Sequence, residues 1–347
     1  MNEETIRRRA TVHDVARAAG VSLATVDRVL NGRPGVRAAT AEKVEEAIAR
    51  LGFSRDLNAS LMARARDLSV VFFIPDGTNE FMDSLAEAVR RRSPLALADR
   101  IHLDIRRVRA LDATALAAGL AELDPRQCDC AVVVSSDEPQ VIAAIEAAHR
   151  RGIAVMTLVS DLPGSARRNF IGIDNVAAGR TAASLMGRFL PGGGAVAVVA
   201  GSLHLRDHAE RLEGFRAALA AEFAGIKIIG PLEGHDERTQ TAEIVAHLLA
   251  DHPDLAGLYN LGAGNAGLVT ALEASGRGGK LRVIAHELTT PTRSGLKSGV
   301  IDVVLDQNPD GEIREAITAA RALALDAGRQ AVTDPIEIGI FLRDNLR

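Results

Sequence analysis

Apolar positions follow two different regimes along the chain. Over residues 11–31, TVHDVARAAGVSLATVDRVLN, they recur at helical spacing, and Val12, Val15, Ala16 and Ala19 share one face. Thr11 with Asp14 forms a capping box ahead of that face, and Gly20 stops the helix. Val21 makes the turn and Ser22 caps a second helix, whose inward residues are Val26, Val29 and Leu30. Two short helices bent at a glycine predict a helix-turn-helix. From Val70 onward the regime changes. Apolar runs (VVFFIP, IHLDIRRV, CAVVVSS, IAVMTLV, NFIGID, AVAVVAG, IKIIG, LAGLYN, LRVIAHE, IDVVLDQ and PIEIGIFL) alternate with amphipathic stretches such as PQVIAAIEAAHRRG. Repeated βα units of this kind predict parallel sheets covered by helices on both faces, and eleven runs are enough for two doubly wound halves.

The helix-turn-helix has a direct chemical reading. Ser22, Leu23, Ala24 and Thr25 are compact enough to let the second helix enter a major groove, while Arg28 and Asn31 reach phosphates and base edges. The alternative at this point is an ordinary pair of packed helices. Charge separates the two. The whole chain carries a net charge of −4, yet residues 1–68 hold 12 Lys and Arg against 9 Asp and Glu, net +3, leaving 29 against 36, net −7, for the remainder. The basic end is the end with the two helices, as a nucleic-acid reader requires.

Composition adds limits. With 347 residues, 47% apolar, no Trp and one Tyr, the chain predicts a small domain plus a larger one with an aliphatic core. Cys128 and Cys130, the only cysteines, lie one residue apart at a strand start and read as a reduced pair. No metal site and no cofactor are expected. The N-terminus, MNEETIRRRA, lacks the apolar core of a signal peptide and no eighteen-residue apolar stretch exists, so a cytoplasmic protein without a membrane partner is expected.

The stretch TVHDVARAAGVSLATVDRVLNGRPGVRAATAEKVEEAIARLGF resembles the N-terminal headpiece of the lactose-repressor (LacI) family of bacterial transcription regulators. The matches include Asp14-Val15-Ala16, Ala19-Gly20-Val21-Ser22, Thr25-Val26, Arg28-Val29-Leu30-Asn31, Val36, Lys43-Val44 and Leu51-Gly52-Phe53. Asp27 stands where the family has a phosphate-contacting Ser, a departure that bears on operator preference. The resemblance extends to about residues 10–345 and implies a headpiece over 10–56 and a hinge helix over 57–68. The core over 69–347 is then of the type I periplasmic-binding-protein kind. It implies DNA contacts from Thr11, Val12, Ser22, Leu23, Ala24, Thr25, Arg28, Asn31 and Val36, and from the hinge residues Ala59, Leu61 and Met62, with Met62 wedging into the minor groove. The usual hinge proline is Arg55 here. Three crossings between core halves are expected near Pro163–Asn169, Gly295–Ile301 and Thr333. They give an N-subdomain of about 69–165 with 300–331, and a C-subdomain of about 170–296 with 333–347.

Ligands bind at the carboxyl ends of parallel strands, and that is where candidate effector contacts are sought. They are Asn79, Phe81, Asp137, Asp161, Arg206, His208, Asn265, His286, Glu287 and Gln307, a mixture of amides, carboxylates, a cation and a ring that suits a polyhydroxylated molecule. Capping of the following helix is an equal alternative for Asp137, Asp161 and Asn175, and Asp174-Asn175 is read as structural. Relatives carry an effector-binding Arg where this chain has Ala209, so Arg206, His208 or Arg211 must substitute. Ala285-His286-Glu287 and Gly262-Ala263-Gly264-Asn265 also depart from the family pattern.

The expected function is a sequence-specific transcription regulator, a repressor, whose affinity for a pseudo-palindromic operator is set by a sugar, polyol or sugar derivative. A homodimer is implied, because one headpiece touches too few bases. Two alternatives share the core. An α/β sugar-metabolising enzyme lacks a GxxxxGK[ST] loop or a triad here, although His286-Glu287 could do acid–base work. A ligand carrier is opposed by the headpiece.

Overall fold

A computed structural model describes residues 10–30, 35–51, 53, 66–325 and 334–346. The described residues form two compact units, one from residues 1–68 and 319–332 and the other from 69–318 and 333–347. Of the sequence-predicted DNA contacts, Asn31, Ala59, Leu61 and Met62 lie outside the described residues.

Among the described residues, the N-terminal part of the first unit forms the helices α1 (Val12–Ala19), α2 (Leu23–Leu30) and α3 (Ala38–Leu51). The capping box forms as its residues require: the Asp14 backbone N–H donates to Thr11 Oγ1 at 3.3 Å, and Thr11 N–H donates to Asp14 Oδ2 at 2.9 Å. Gly20 takes the left-handed conformation, φ 67°, that ends α1, and the Thr25 N–H donates to Ser22 Oγ to start α2. Val15, Ala16, Val26, Val44 and Ala47 close a small core between the three helices. The apolar face read from the sequence is therefore the face that packs.

The second unit is a pair of parallel α/β layers. Its elements run β1 (Leu68–Asp76), α4 (Glu80–Ala98), β2 (Ile101–Arg109), α5 (Ala113–Ala121), β3 (Cys130–Val133), α6 (Pro139–Arg150), β4 (Ala154–Leu158) and β5 (Asn169–Ile171). There follow α7 (Asn175–Phe189), β6 (Gly194–Ala200), α8 (Arg206–Glu222), β7 (Ile226–Glu233), α9 (Arg238–Asp251), β8 (Gly257–Asn260) and α10 (Asn265–Ala274). The chain ends with β9 (Arg282–His286), α11 (Thr290–Ser298), β10 (Val303–Asp306), α12 (Pro309–Leu325) and β11 (Gly339–Phe341). All eleven apolar runs are strands.

The first sheet has the order β2-β1-β3-β4-β5, with β1, β3, β4 and β5 parallel to their neighbours. The second has the order β11-β10-β9-β8-β6-β7 and is parallel except where β11 meets β10. Both faces of the second sheet are buried: Val196, Val198, Tyr259 and Ile284 pack on one side, and Ala197, Val199, Leu258 and Val283 on the other. That is why these strands read as continuous apolar runs rather than alternating ones.

Two of the expected crossings shift by one strand. Asn169–Ile171 pairs with β4 and completes the first sheet, so the chain passes to the second half after Ile171, not before Asn169. Val303–Asp306 pairs with β9 in the second sheet, so the return comes after Asp306 and not near Gly295–Ile301. A short apolar run does not declare which sheet it will join, because only the partner strand's backbone decides that.

Helices α7 and α8 touch more closely than side chains would allow. A Cβ at Gly179 would lie 2.0 Å from the Arg211 carbonyl oxygen, and one at Gly214 would lie 2.1 Å from the Val176 carbonyl oxygen. Reciprocal glycines therefore set the separation of the pair and the height at which Arg211 leaves α8. Replacing Gly179 by Ala is expected to destabilise the core by about 2 kcal/mol or more through forced separation of the helices. Urea denaturation of the variant beside the parent chain measures this.

Candidate functional site: a DNA-reading helix and an inter-sheet cleft

In the first unit the second helix offers a polar and apolar face of small residues. Ser22, Leu23, Ala24, Asp27 and Arg28 are exposed, and Thr25, Val36, Thr11 and Val12 are partly buried. Leu23 is 42% exposed although it is a large apolar residue at a helix N-terminus. Burial of Val26 on the opposite face fixes this presentation. Thr11 also spends its hydroxyl on the cap of α1, where it donates to Asp14 Oδ2 at 2.7 Å.

In the second unit the carboxyl ends of the two sheets face each other, and the order of each sheet reverses beside β1 and β6, where α/β folds bind ligands. Among the described residues, several hydrogen bonds join the halves, including one from the Asp207 N–H to Ser160 Oγ at 3.4 Å. Asn79 Nδ2 donates to Asp236 Oδ2 at 3.3 Å, the Arg206 N–H donates to Ser160 Oγ at 3.1 Å, and the Asp137 N–H donates to the His204 carbonyl at 3.2 Å. Between them is a cavity of about 30 Å³, lined by Asn79, Phe81, Ser160, Asp207, His208, Arg211, Asp236, Glu287 and Gln307 among others. That is the space of about one water.

Arg211 is its centre. Its side chain is 1% exposed, Nε donates to Asn175 Oδ1 at 2.9 Å, and Nη1 donates to the Leu261 carbonyl at 2.8 Å. Asp207 Oδ2 and Glu287 Oε1 each lie 3.7 Å from the guanidinium. Gln307 Nε2 donates to Glu287 Oε1 at 2.6 Å. Four buried polar atoms around this point lack a partner: Arg211 Nη2, Asp207 Oδ1, Glu287 Oε2 and Gln307 Oε1. Unpaired polar atoms at such burial are costly. Glu287 also adopts a left-handed backbone, φ 69°, a strained conformation for a non-glycine residue.

Burial pushes the Glu287 carboxyl up to about 8, against the pull of Arg211. Glu312, fully buried in the first turns of α12, is held well above the usual carboxylate range by burial and then by Glu287 and Asp306. His286 is held well below the usual imidazole range, first by burial and then by Arg211 and His208. It is therefore a neutral ring, paired through Nε2 with Tyr259 Oη at 2.8 Å.

Of the ten sequence-predicted effector contacts, Asn79, Phe81, His208, Glu287 and Gln307 line this cavity. The other five do not. Asp137 is exposed, and Asp161 is occupied by Thr157 Oγ1, the Leu162 N–H and Arg167. Arg206 turns to Glu210 at 2.7 Å. Asn265 accepts from Asn260 and donates to the His286 carbonyl, while His286 faces Tyr259, so both lie beneath the lining. Side chains at strand ends alternate in direction, and the residue next to the right one points into the core. Arg211 and Asp207 are the residues that reasoning from the sequence underused. The signal was present for Arg211 in its place three residues before Gly214, once the helix packing there is known.

Comparison with known proteins agrees with this geometry. The model of the periplasmic binding protein domain matches residues 70–329, and that of bacterial regulatory proteins, lacI family, matches residues 11–56. The chain belongs to the lacI family of bacterial regulatory proteins. Its larger part is a sugar-binding-protein-like domain. Catabolite control protein A of Priestia megaterium is 44% identical over 79 residues, 23% of this chain and 24% of that protein. The D-ribose/D-allose-binding protein of Pseudomonas aeruginosa is 26% identical over 189 residues, 52% of this chain and 58% of that protein. The chain thus matches only about a quarter to somewhat over half the length of these curated relatives. A solute binding protein from Burkholderia graminis C4D1M, solved with D-arabinose, superposes with a TM-score of 0.75 at 26% identity, covering 81% of this chain and 97% of that one. Among the described residues no helix of this family member is long and apolar enough to cross a membrane.

The raised Glu287 carboxyl has a consequence for stability. The folded state keeps that proton up to about pH 8, whereas an unperturbed glutamate releases it near 4.5, so between these values the folded state binds more protons than the unfolded. Stability of the ligand-free chain is expected to fall as pH rises through that window. Glu287→Gln should flatten the decline in thermal melts taken across it, leaving the part due to Glu312. An unchanged slope would remove Glu287 from the account.

Proposed function

We propose that this lacI-family chain is a cytoplasmic transcriptional repressor, acting as a homodimer on a pseudo-palindromic operator and controlled by an uncharged polyhydroxylated effector held around Arg211. The observation that carries the effector half is the set of four unpartnered buried atoms beside Arg211: a donor in Nη2, acceptors in Asp207 Oδ1 and Gln307 Oε1, and Glu287 Oε2, which donates while that carboxyl keeps its proton. Hydroxyl groups donate and accept, so a sugar or polyol satisfies such a set. A phosphate or carboxylate group brings negative charge, and it would meet Asp207 and Asp236 against a single guanidinium. Sugar acids and sugar phosphates are therefore disfavoured. The likeness to proteins described as binding D-ribose or D-allose and D-arabinose supports a small neutral sugar or its polyol.

The DNA half rests on the exposed face of α2. Leu23 and Ala24 suit apolar contact with thymine methyl groups, Ser22 and Thr25 offer hydroxyls, and Arg28 is placed one turn later for a base edge or phosphate. Asn31, Ala59, Leu61 and Met62 complete the interface in this reading, the last three as a hinge helix over residues 57–68. The domain limits of 10–56 and 69–347 belong to the same reading. The effector acts only by its preference for one state of the cleft over the other, which sets how far it moves the operator equilibrium.

Two measurements test this. A thermal-shift screen of neutral sugars, polyols and the matching sugar acids is expected to give hits among the neutral compounds, weakened at least about tenfold by Arg211→Ala or Glu287→Ala. Fluorescence anisotropy with inverted-repeat duplexes selected from a random pool should show binding that falls with salt, is altered by the hit, and drops about tenfold or more in Arg28→Ala. A chain that grips the selected duplex no better than random duplex would overturn the proposal.

A further inference from the structure

A second, larger cavity opens beside the Arg211 site. It measures about 250 Å³ and lies at the carboxyl ends of β1, β2 and β3, with residues 235–237 and Leu205 closing it from the other half. The two cavities share Asn79, Met82, Val134, Leu205 and Asp236, so they are neighbouring compartments of one cleft, parted by the Asn79–Asp236 hydrogen bond.

Their chemistries differ. The larger wall is mostly apolar, built by Pro75, Met82, Val108, Leu111, Leu116 and Val134. Its polar side chains are largely consumed by the protein itself. Asp112 caps α5 through the Ala115 N–H, Glu237 caps α9, and Asp236 accepts from the Ala263 N–H and from Asn79. Among the described residues, Ser135 Oγ is the one buried side-chain atom lining this compartment that has no partner. The compartment around Arg211 has four. At the rim of the larger one, Leu111 stands 43% exposed on a left-handed backbone, φ 55°, an unfavourable conformation for a leucine.

Resting on the reading of the Arg211 site given above, we infer that the effector is amphipathic: a hydroxylated head engages Arg211, Asp207, Glu287 and Gln307, and an apolar substituent fills the adjoining compartment under Leu111, with one polar atom facing Ser135. A glycoside or ether of a sugar or polyol has this form. A bare pentose or hexose would leave about 250 Å³ of mainly apolar wall uncovered. The Asn79–Asp236 bond lies where the head joins the substituent, and the ligand replaces it on binding.

The test uses the full chain and matched pairs of methyl and phenyl glycosides of several neutral sugars, measured by titration calorimetry. For any sugar that binds, the phenyl member is expected to bind about tenfold more tightly than the methyl member. Leu111→Asp, a change at an exposed rim position, should erase that gain and leave the methyl glycoside's affinity unchanged. Equal affinities, or a gain that survives Leu111→Asp, would overturn the inference. Benzyl alcohol separates this outcome from failure of the head-group reading. If no glycoside binds, saturation-transfer NMR with benzyl alcohol still reports the apolar compartment: a signal lost in Leu111→Asp supports it, and no signal in the parent chain overturns it.

Discussion

A buried guanidinium is the constraint on which the ligand cleft depends. Arg211 carries full charge at 1% exposure, and it is tolerable there only because Asn175, the Leu261 carbonyl, Asp207 and Glu287 surround it. Those partners come from α7, the end of β8, the start of α8 and the end of β9, so one side chain ties together four segments of the second half. The reciprocal contacts of Gly179 and Gly214 hold α8 at the height where this is possible. What Arg211 gathers is also incomplete. Its own Nη2 and three surrounding carboxyl and amide oxygens have no partner, so the network around the guanidinium is satisfied on one side only.

The layer beneath the cleft is arranged to keep that network in place. Asn260 and Asn265 hold one another and the His286 carbonyl, while the neutral His286 ring bonds Tyr259, whose ring stacks on Phe215 at 4.6 Å. Each of these polar groups is buried and most of their bonds are made within the second half. The first half contributes Asn79, Phe81 and Ser160, and its bonds across the cleft are few. The second half therefore carries most of the buried polar network, and the first half is fastened to it by few bonds.

Much of the architecture was legible in the chain because its signals are local. The capping box at Thr11 and Asp14, the stop at Gly20 and the cap at Ser22 each depend on residues within a turn or two, and each appears as read. The eleven apolar runs became eleven strands, the central ones buried on both faces, while the edge strands β2, β7 and β11 are only partly buried. The candidate site was half legible. Asn79, Glu287 and Gln307 stand at strand ends and line the cleft, but Asp137, Asp161, Arg206, Asn265 and His286 also stand there and do not. Their neighbours and capping geometry absorb them, and sequence position carries no record of which way a side chain turns.

The sequence alone determined the helix-turn-helix, the alternation of strand and helix, the separation of a basic end from an acidic remainder, and the family to which the chain belongs. These follow from periodicity, caps and composition, which are properties of short stretches or of sums. Tertiary structure alone decided that Asn169–Ile171 joins the first sheet and Val303–Asp306 the second, that Arg211 takes the centre of the cleft, and that an apolar compartment adjoins it. Each of these depends on which distant backbone lies alongside, a relation between segments that no single stretch encodes.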